Sequence, residues 1–547
     1  MMKNRNRIAV ILFCLALTSL SAQEALKSVE EEYYDFLSLQ GLAERSYLNY
    51  RTLSDSVWAI EEGASHPWQN HNLGTKRQLF GDVFMRIYGP ELFTSYNTAA
   101  PYGQNDGALW QGRGFNSSLT GGVRFEGYGV ELTFKPQLAF SQNAAFEILT
   151  PGKSGPDYAG KGDTYGYFWG GVDAPQRFGD EPFFTYDWGD TEIRYTWKTL
   201  TIGFGTQAIW LGPAYLNPML HSNNAASYPK FDIGIRKQPV TIPGLGWYVG
   251  DVELRLWVGY LTESDYFDNE PENDSTMFHG LSFAYAPSFL PGFTLFLNRV
   301  CLVDWSWENL KYIVPNSDNT IEDQKLSFGI SWIFPQVGFE MYGELGIDDY
   351  ISVDGPQIQG YLRYPLHTLI YTVGLKKTLK LSKEADIYGE IIFEWNNFEM
   401  DQSFQFQWPY SFYFHHNIIH GYTNRGQLVG SGNGVNGNSQ YLEFKLYYPS
   451  GNSSIIIQRS NPDNNYVYSK AIEDVADGGK LSVKYYRTFK ASFVAGGSSS
   501  FFITDNFSVT GKVLYNLILN PLYKNTPDRL DIFLHNGVFQ VLLKYSL

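Results

Sequence analysis

From about Gln78 to its last residue, the chain alternates apolar and polar positions with a period of two. "VELTFKP" sets Val130, Leu132 and Phe134 against Glu131, Thr133 and Lys135. "DVELRLWVGYL" sets Val252, Leu254, Leu256, Val258 and Tyr260 against Glu253, Arg255, Trp257 and Gly259, and "KLSFGISW" sets Leu326, Phe328, Ile330 and Trp332 against Ser327, Gly329 and Ser331. Such alternation predicts strands with one apolar face. In "TEIRYTWKTLTIGFG" the apolar side changes register, from Ile193, Tyr195 and Trp197 to Leu200, Ile202 and Phe204, and a tight turn at Lys198-Thr199 accounts for the change. Upstream the pattern is helical: Val29, Tyr33, Phe36 and Leu37 recur at intervals of three and four, with Gly41 as a stop. Ser54 or Asp55 in "LSDSVWAIEE" predicts the cap of a second short helix.

A soluble β-sandwich also alternates, with its apolar side turned to a core. Three features favour a membrane barrel instead. The alternation runs further than one sandwich needs, and Tyr, Trp and Phe gather near segment ends, where interfacial girdles sit. The last segment, "GVFQVLLKYSL", alternates to the final residue, with Phe539, Val541, Leu543, Tyr545 and Leu547 outward, as suits a strand that closes a barrel edge. The inward side then carries Glu253, Arg255, Glu443 and Lys445. Basic groups turned to lipid instead would cost ~2–4 kcal/mol each near the midplane. Strands of ~9–11 residues plus loops allow roughly 16 to 20 strands.

Composition agrees: 17% of residues are aromatic and 53 are Gly, with no apolar run after the first segment approaching the ~20 residues of a membrane helix. At the start, Lys3, Arg5 and Arg7 precede "IAVILFCLAL" and then small residues, the layout of a signal peptide cut after Ala22. Cys14 lies inside the apolar run behind bulky Phe13, which argues against lipid attachment. Export of residues 23–547 removes those three positive charges and no negative ones, taking the formal charge from -15 to -18. So acidic a chain is a poor partner for nucleic acid. Cys301 alone survives processing, so disulfides and cysteine metal cages are excluded. The expected organisation is a signal peptide (1–22), a periplasmic helical segment (23–77) and an outer-membrane antiparallel β-barrel (78–547).

"GSGNGVNG" (Gly430–Gly437) contains the glycine spacing of a dinucleotide fingerprint, which requires a helix immediately after it. The next residues are "NSQYLEFKLYY", with Leu442, Phe444, Leu446 and Tyr448 alternating against Glu443, Lys445 and Tyr447. The glycines therefore predict a loop with positive φ or close packing, and no cofactor. The region from Pro409 to Ser439 is an expected surface loop, and the long Gly- and Asn-rich stretch around Gly430 is the expected plug of the lumen. His415, His416 and His420 lack the ligand set of a zinc site, and Asp265, Asp268, Glu270 and Glu272 lack the order of a calcium loop; both read as polar loops, with no metal. The chain has neither a Gly-x-Ser-x-Gly elbow nor His-Glu-x-x-His, and carboxylates so abundant point to no particular hydrolytic pair.

"NDGALWQGRGFN" (Asn105–Asn116), "DAPQRFGD" (Asp173–Asp180), "WLGPAYLNPMLHSNNAASYPKF" (Trp210–Phe231) and "HHNIIHGYTNRGQLVGSGNG" (His415–Gly434) occur in that order. With "YYDFLSLQGL" near the start, they resemble the Wzi-type capsule-assembly proteins of bacterial outer membranes. Trp210-Leu211 stands where that family usually has paired tryptophans. The resemblance implies a barrel of about 18 strands with a periplasmic helical segment, and a lectin-like, non-enzymatic role in holding exported capsular polysaccharide at the cell surface. Outer-membrane lipid and the polysaccharide-export machinery are the further partners. Sugar recognition pairs aromatic faces with amides, carboxylates and Arg on the hydroxyls. Trp110 with Asp106 and Arg113, Trp210 with Asn223 and Asn224, and Tyr422 with Asn424 and Arg425 fit that chemistry. The alternative is that Arg113, Arg177 and Arg425 join luminal networks that stiffen the barrel and its plug. A general diffusion porin is the runner-up function, and a hydrolase at the barrel mouth comes third.

Overall fold

The computed structural model describes residues 28–61, 63–74, 76–313, 322–348, 362, 366, 368–382, 384–399, 411–467, 489–524 and 532–547. The expected signal peptide and Pro409 lie outside the described residues. The alternating segments form one closed antiparallel barrel of 18 strands. In chain order these are β1 (Val83–Asn97), β2 (Gly114–Gly127), β3 (Val130–Phe134, resumed at Gln137–Ser141), β4 (Phe183–Asp187, resumed at Glu192–Trp197), β5 (Leu200–Gly205) and β6 (Lys230–Thr241). β7 (Tyr248–Thr262), β8 (Ser275–Pro287), β9 (Phe293–Asp304), β10 (Asp323–Phe334), β11 (Phe339–Ile347) and β12 (Leu369–Ser382) come next. β13 (Ile387–Asn397), β14 (Asn438–Tyr448), β15 (Gly451–Asn461), β16 (Ala491–Thr504), β17 (Phe507–Leu519) and β18 (Phe533–Tyr545) complete the wall.

Closure is direct: β18 pairs with β1, Val538 opposite Asn97 and Lys544 opposite Glu91. Below that register the foot of β1 is flanked by a short arm, Lys76–Phe80. β3 is interrupted at Pro136, which has no N–H to give the ladder, and β4 is interrupted at the facing residues 188–191. One end of the barrel has short turns; Lys198-Thr199 is the expected tight turn, with Lys198 at φ 57°. The other end has the long loops.

The alternation resolves as predicted. Outward positions such as Leu132, Ile193, Phe204, Leu442 and Val541 are exposed, whereas Glu253, Arg255, Glu443 and Lys445 are buried inside. An apolar face this continuous is stable only against hydrocarbon. Tyr128, Trp197, Trp247 and Phe289 crowd the short-turn rim, and Phe184 and Trp188 stand near the opposite one.

The lumen holds the protein's core. Helix α1 (Val29–Leu39) is capped by Ser28, whose Oγ accepts from the Glu31 N–H at 3.1 Å, and the chain turns away at Gly41 with φ +71°. Tyr33, Phe36 and Leu37 pack with Trp68 against Tyr388 and Tyr447 at the short-turn end of the wall. The other face of α1 is just as enclosed, because its acids meet basic residues of the wall. Lys544 reaches Glu30 at 2.7 Å, and Lys445 and Lys376 reach Glu32 and Asp35, each at 2.6 Å. The second helix expected after Ser54 or Asp55 does not form. Asp55 is drawn to wall guanidiniums instead, 2.8 Å from Arg236 and 3.1 Å from Arg255, and the segment settles as a turn.

Candidate functional site

Two wall carboxylates hold the luminal segments by their backbones. Glu394 on β13 accepts the N–H groups of Tyr215 at 2.6 Å, Leu216 at 3.1 Å and Asn217 at 2.8 Å. Glu253 on β7 does the same for Leu48, Asn49 and Tyr50, at 2.8, 3.0 and 2.7 Å. Each carboxylate thus satisfies a run of donors that would otherwise be stranded inside the protein, and charge-assisted bonds are the stronger kind. Sequence reasoning put Glu253 on the inner side but did not single out Glu394, which holds the loop between β5 and β6.

That loop, the β1–β2 loop and the 411–437 segment meet in the lumen. Asn224 joins all three, accepting from the Asn105 N–H at 3.2 Å and donating to the Leu428 carbonyl at 3.0 Å. The glycines account for the closeness: a Cβ on Gly432 would lie 2.3 Å from the Asn224 side chain, and Gly434 takes φ +93°. β14 begins directly after Gly437, so the fingerprint has no helix, as expected.

Between these loops and the wall of β15–β18 lies a cavity of about 450 Å³. Asp106, Asn223, Gln458, Thr510, Lys512 and Gln540 are among its lining residues. Asn105, Gln207 and Asn223 also border it, and each has a buried side-chain oxygen without a hydrogen-bond partner among the described residues. Buried acceptors of this kind call for a donor from water or ligand. Asp106 receives the Gln111 amide at 2.7 Å, yet burial pushes its carboxyl up to about 7. A raised acid binds its proton more tightly folded than unfolded, so the associated stability is present at low pH and is lost as pH rises from about 4 to 7. Wild-type protein is therefore expected to melt higher at pH 5 than at pH 8. Asp106→Asn should narrow that gap in detergent melting curves; an unchanged gap refutes the assignment.

The other predicted site residues separate. Trp210 and Tyr422 are fully buried: the Trp210 indole donates to the Ala214 carbonyl at 3.0 Å, and the Tyr422 hydroxyl to the Leu220 carbonyl at 2.7 Å. Asn424 is buried too, bonding the Ala226 carbonyl and the Thr262 N–H. These three serve the luminal network. Trp110 is half-buried against Phe178 and Phe183, and Arg113 bonds the Thr98 and Ala145 carbonyls. Arg425 stands apart, exposed at the wall. Arg177 pairs with Asp180 and the Asn143 carbonyl, tying down the β3–β4 loop. Among the described residues, the acids close enough for a metal are Glu263, Asp268 and Asp274, a set that shares only Asp268 with the acids weighed in the sequence. Burial, with Asp173 and Asp268 nearby, pushes Glu263 up to about 9.

Residues 96–302 match the family model of capsule assembly protein Wzi. Over this stretch, less than half of the chain, the sequence fits that family. The match spans three of the four motifs that carried the resemblance, from the β1–β2 loop through the loop between β5 and β6. Among solved structures, Escherichia coli Wzi, described as an outer-membrane, carbohydrate-binding β-barrel involved in group 1 capsule assembly, superposes with a TM-score of 0.58 at 10% identity. The alignment covers 97% of this chain and 100% of that one. Pseudomonas aeruginosa OccK8 (OprE) reaches only 0.39 at 9% identity, covering 85% of this chain and 98% of its own. Acinetobacter baumannii OccAB1 reaches 0.36 at 9%, covering 84% and 96%. No curated protein matches in sequence. The 18-stranded barrel with its apolar outer face fits an outer-membrane protein, and luminal loops occupy much of its interior among the described residues.

Proposed function

We propose that this barrel is a non-enzymatic, lectin-like anchor that holds an exported surface polysaccharide at the long-loop end. The observation that carries the reading is the luminal cavity, whose lining is rich in amides, hydroxyls and carboxylates and includes three amide oxygens lacking a donor among the described residues. Sugar hydroxyls are donors of the kind those oxygens lack. Trp110, half-buried in the β1–β2 loop, supplies an aromatic surface on the same loop as Asp106. The Wzi structure it resembles is described as carbohydrate-binding, which agrees with this assignment. A lumen largely occupied by loops suits an anchor better than a diffusion porin.

Glycan-array binding by detergent-purified protein tests the function and names the sugar. Asn223→Ala and Trp110→Ala are each expected to weaken retention of the bound glycan about tenfold, the loss of one good hydrogen bond or stacking contact, roughly 1.4 kcal/mol. Binding that survives both substitutions sinks the site, and large ohmic conductance in planar bilayers sinks the anchor.

A further inference from the structure

The wall has a notch. β5 is the shortest strand, and after Gly205 the chain turns into the lumen, returning to the wall only at Lys230. The upper end of β7 therefore loses its neighbour on one side. The plug supplies a substitute: the Asn424 side chain accepts the Thr262 N–H at 3.0 Å, and the Arg425 N–H donates to the Thr262 carbonyl at 2.7 Å. Arg425 holds φ 50° there and emerges exposed. Beside it, on the outside of the barrel, the notch opens into an apolar hollow of about 800 Å³ bounded by Phe125, Leu132, Phe134, Ile193 and Phe204. That volume is within the ~300–1,000 Å³ of small-ligand sites.

The surroundings decide the occupant. These side chains face hydrocarbon, so an acyl chain is the group at hand. Trp188, exposed and also bordering the hollow, is the residue type that seats at headgroup level. Arg425, exposed at the wall, forms no ion pair among the described residues, and an exposed guanidinium at the edge of a lipid site selects an anionic headgroup. We infer that the notch above the upper ends of β5 and β6, beside β7, is a binding site for a phosphorylated, anionic lipid of the leaflet around the long-loop end, with an acyl chain in the hollow and its phosphate on Arg425.

The test is native mass spectrometry of the folded full chain in neutral detergent, titrated with phosphatidylglycerol or with phosphatidylcholine of the same acyl chains. Wild type is expected to retain one phosphatidylglycerol at least fivefold better. Arg425→Asn, a residue that tolerates positive φ, should bring the two lipids to parity. Ile193→Trp, which fills the hollow from an exposed position, should reduce retention of both. Equal retention by wild type overturns the proposal without recourse to any variant, and so does a preference that persists in Arg425→Asn. Glycan binding by Arg425→Asn is expected to be unchanged, which separates this site from the luminal one.

Discussion

Replacing Glu394 with alanine is expected to loosen the plug while leaving the barrel closed. The substitution takes the acceptor from three consecutive backbone donors, Tyr215 to Asn217, and from the Tyr342 hydroxyl at 2.8 Å. Each stranded buried donor costs ~1–3 kcal/mol, and water entering the gap recovers part of it. A net loss of about 3–5 kcal/mol results, on the scale seen when one member of a buried charged network is removed. Hydrogen exchange in detergent gives the local readout: amides of residues 215–217 should lose protection by two to three orders of magnitude, while those of β14–β18 keep theirs. Glu394→Gln, which retains one acceptor oxygen, should fall between. Undiminished protection at Asn217 in the alanine variant shows that the carboxylate is not what holds the loop.

The second large effect is expected at Asp232. It sits between two guanidiniums on the inner wall, 2.6 Å from Arg194 and 2.8 Å from Arg255, and all three side chains are almost wholly buried. Asp232→Ala leaves two buried cations facing each other, with Glu192 near one and Asp55 near the other as the remaining counter-charges. Removal of the shared anion should cost about 3–5 kcal/mol. Asp232→Ala with Arg194→Met, which takes out one cation as well, should regain part of that loss. Urea unfolding of the reconstituted barrel measures both, and additive effects in the double variant argue against the coupling.

The wall was legible from the chain alone because each residue's side is decided by its immediate neighbours. Once Val252 is outward, Glu253 and Arg255 must be inward, and they are. α1 was legible for the same reason, down to its stop at Gly41. The interior was not. Asp55 looks like a helix cap until Arg255, 200 residues later, is folded beside it. Trp210 and Tyr422 look available to a sugar because an aromatic in a Gly-rich loop reads the same whether it faces solvent or packs inside a barrel. Glu394 is one inward acid among many, and only the fold brings the backbone of residues 215–217 to it. Arg425 fits a sugar site or a luminal network equally in the sequence, and nothing in its context reveals that the wall beside it has a gap.

The charged pairs of α1 also bear on the order of assembly. Its acids meet Lys376, Lys445 and Lys544, which lie on β12, β14 and β18. The helix precedes every strand of the wall in the chain, yet its last partner sits on the final one. A segment that leaves the ribosome before any of the wall therefore cannot complete its seat until the final strand is in place, so the full set of pairs reports that the seam between the first and final strands has been sewn.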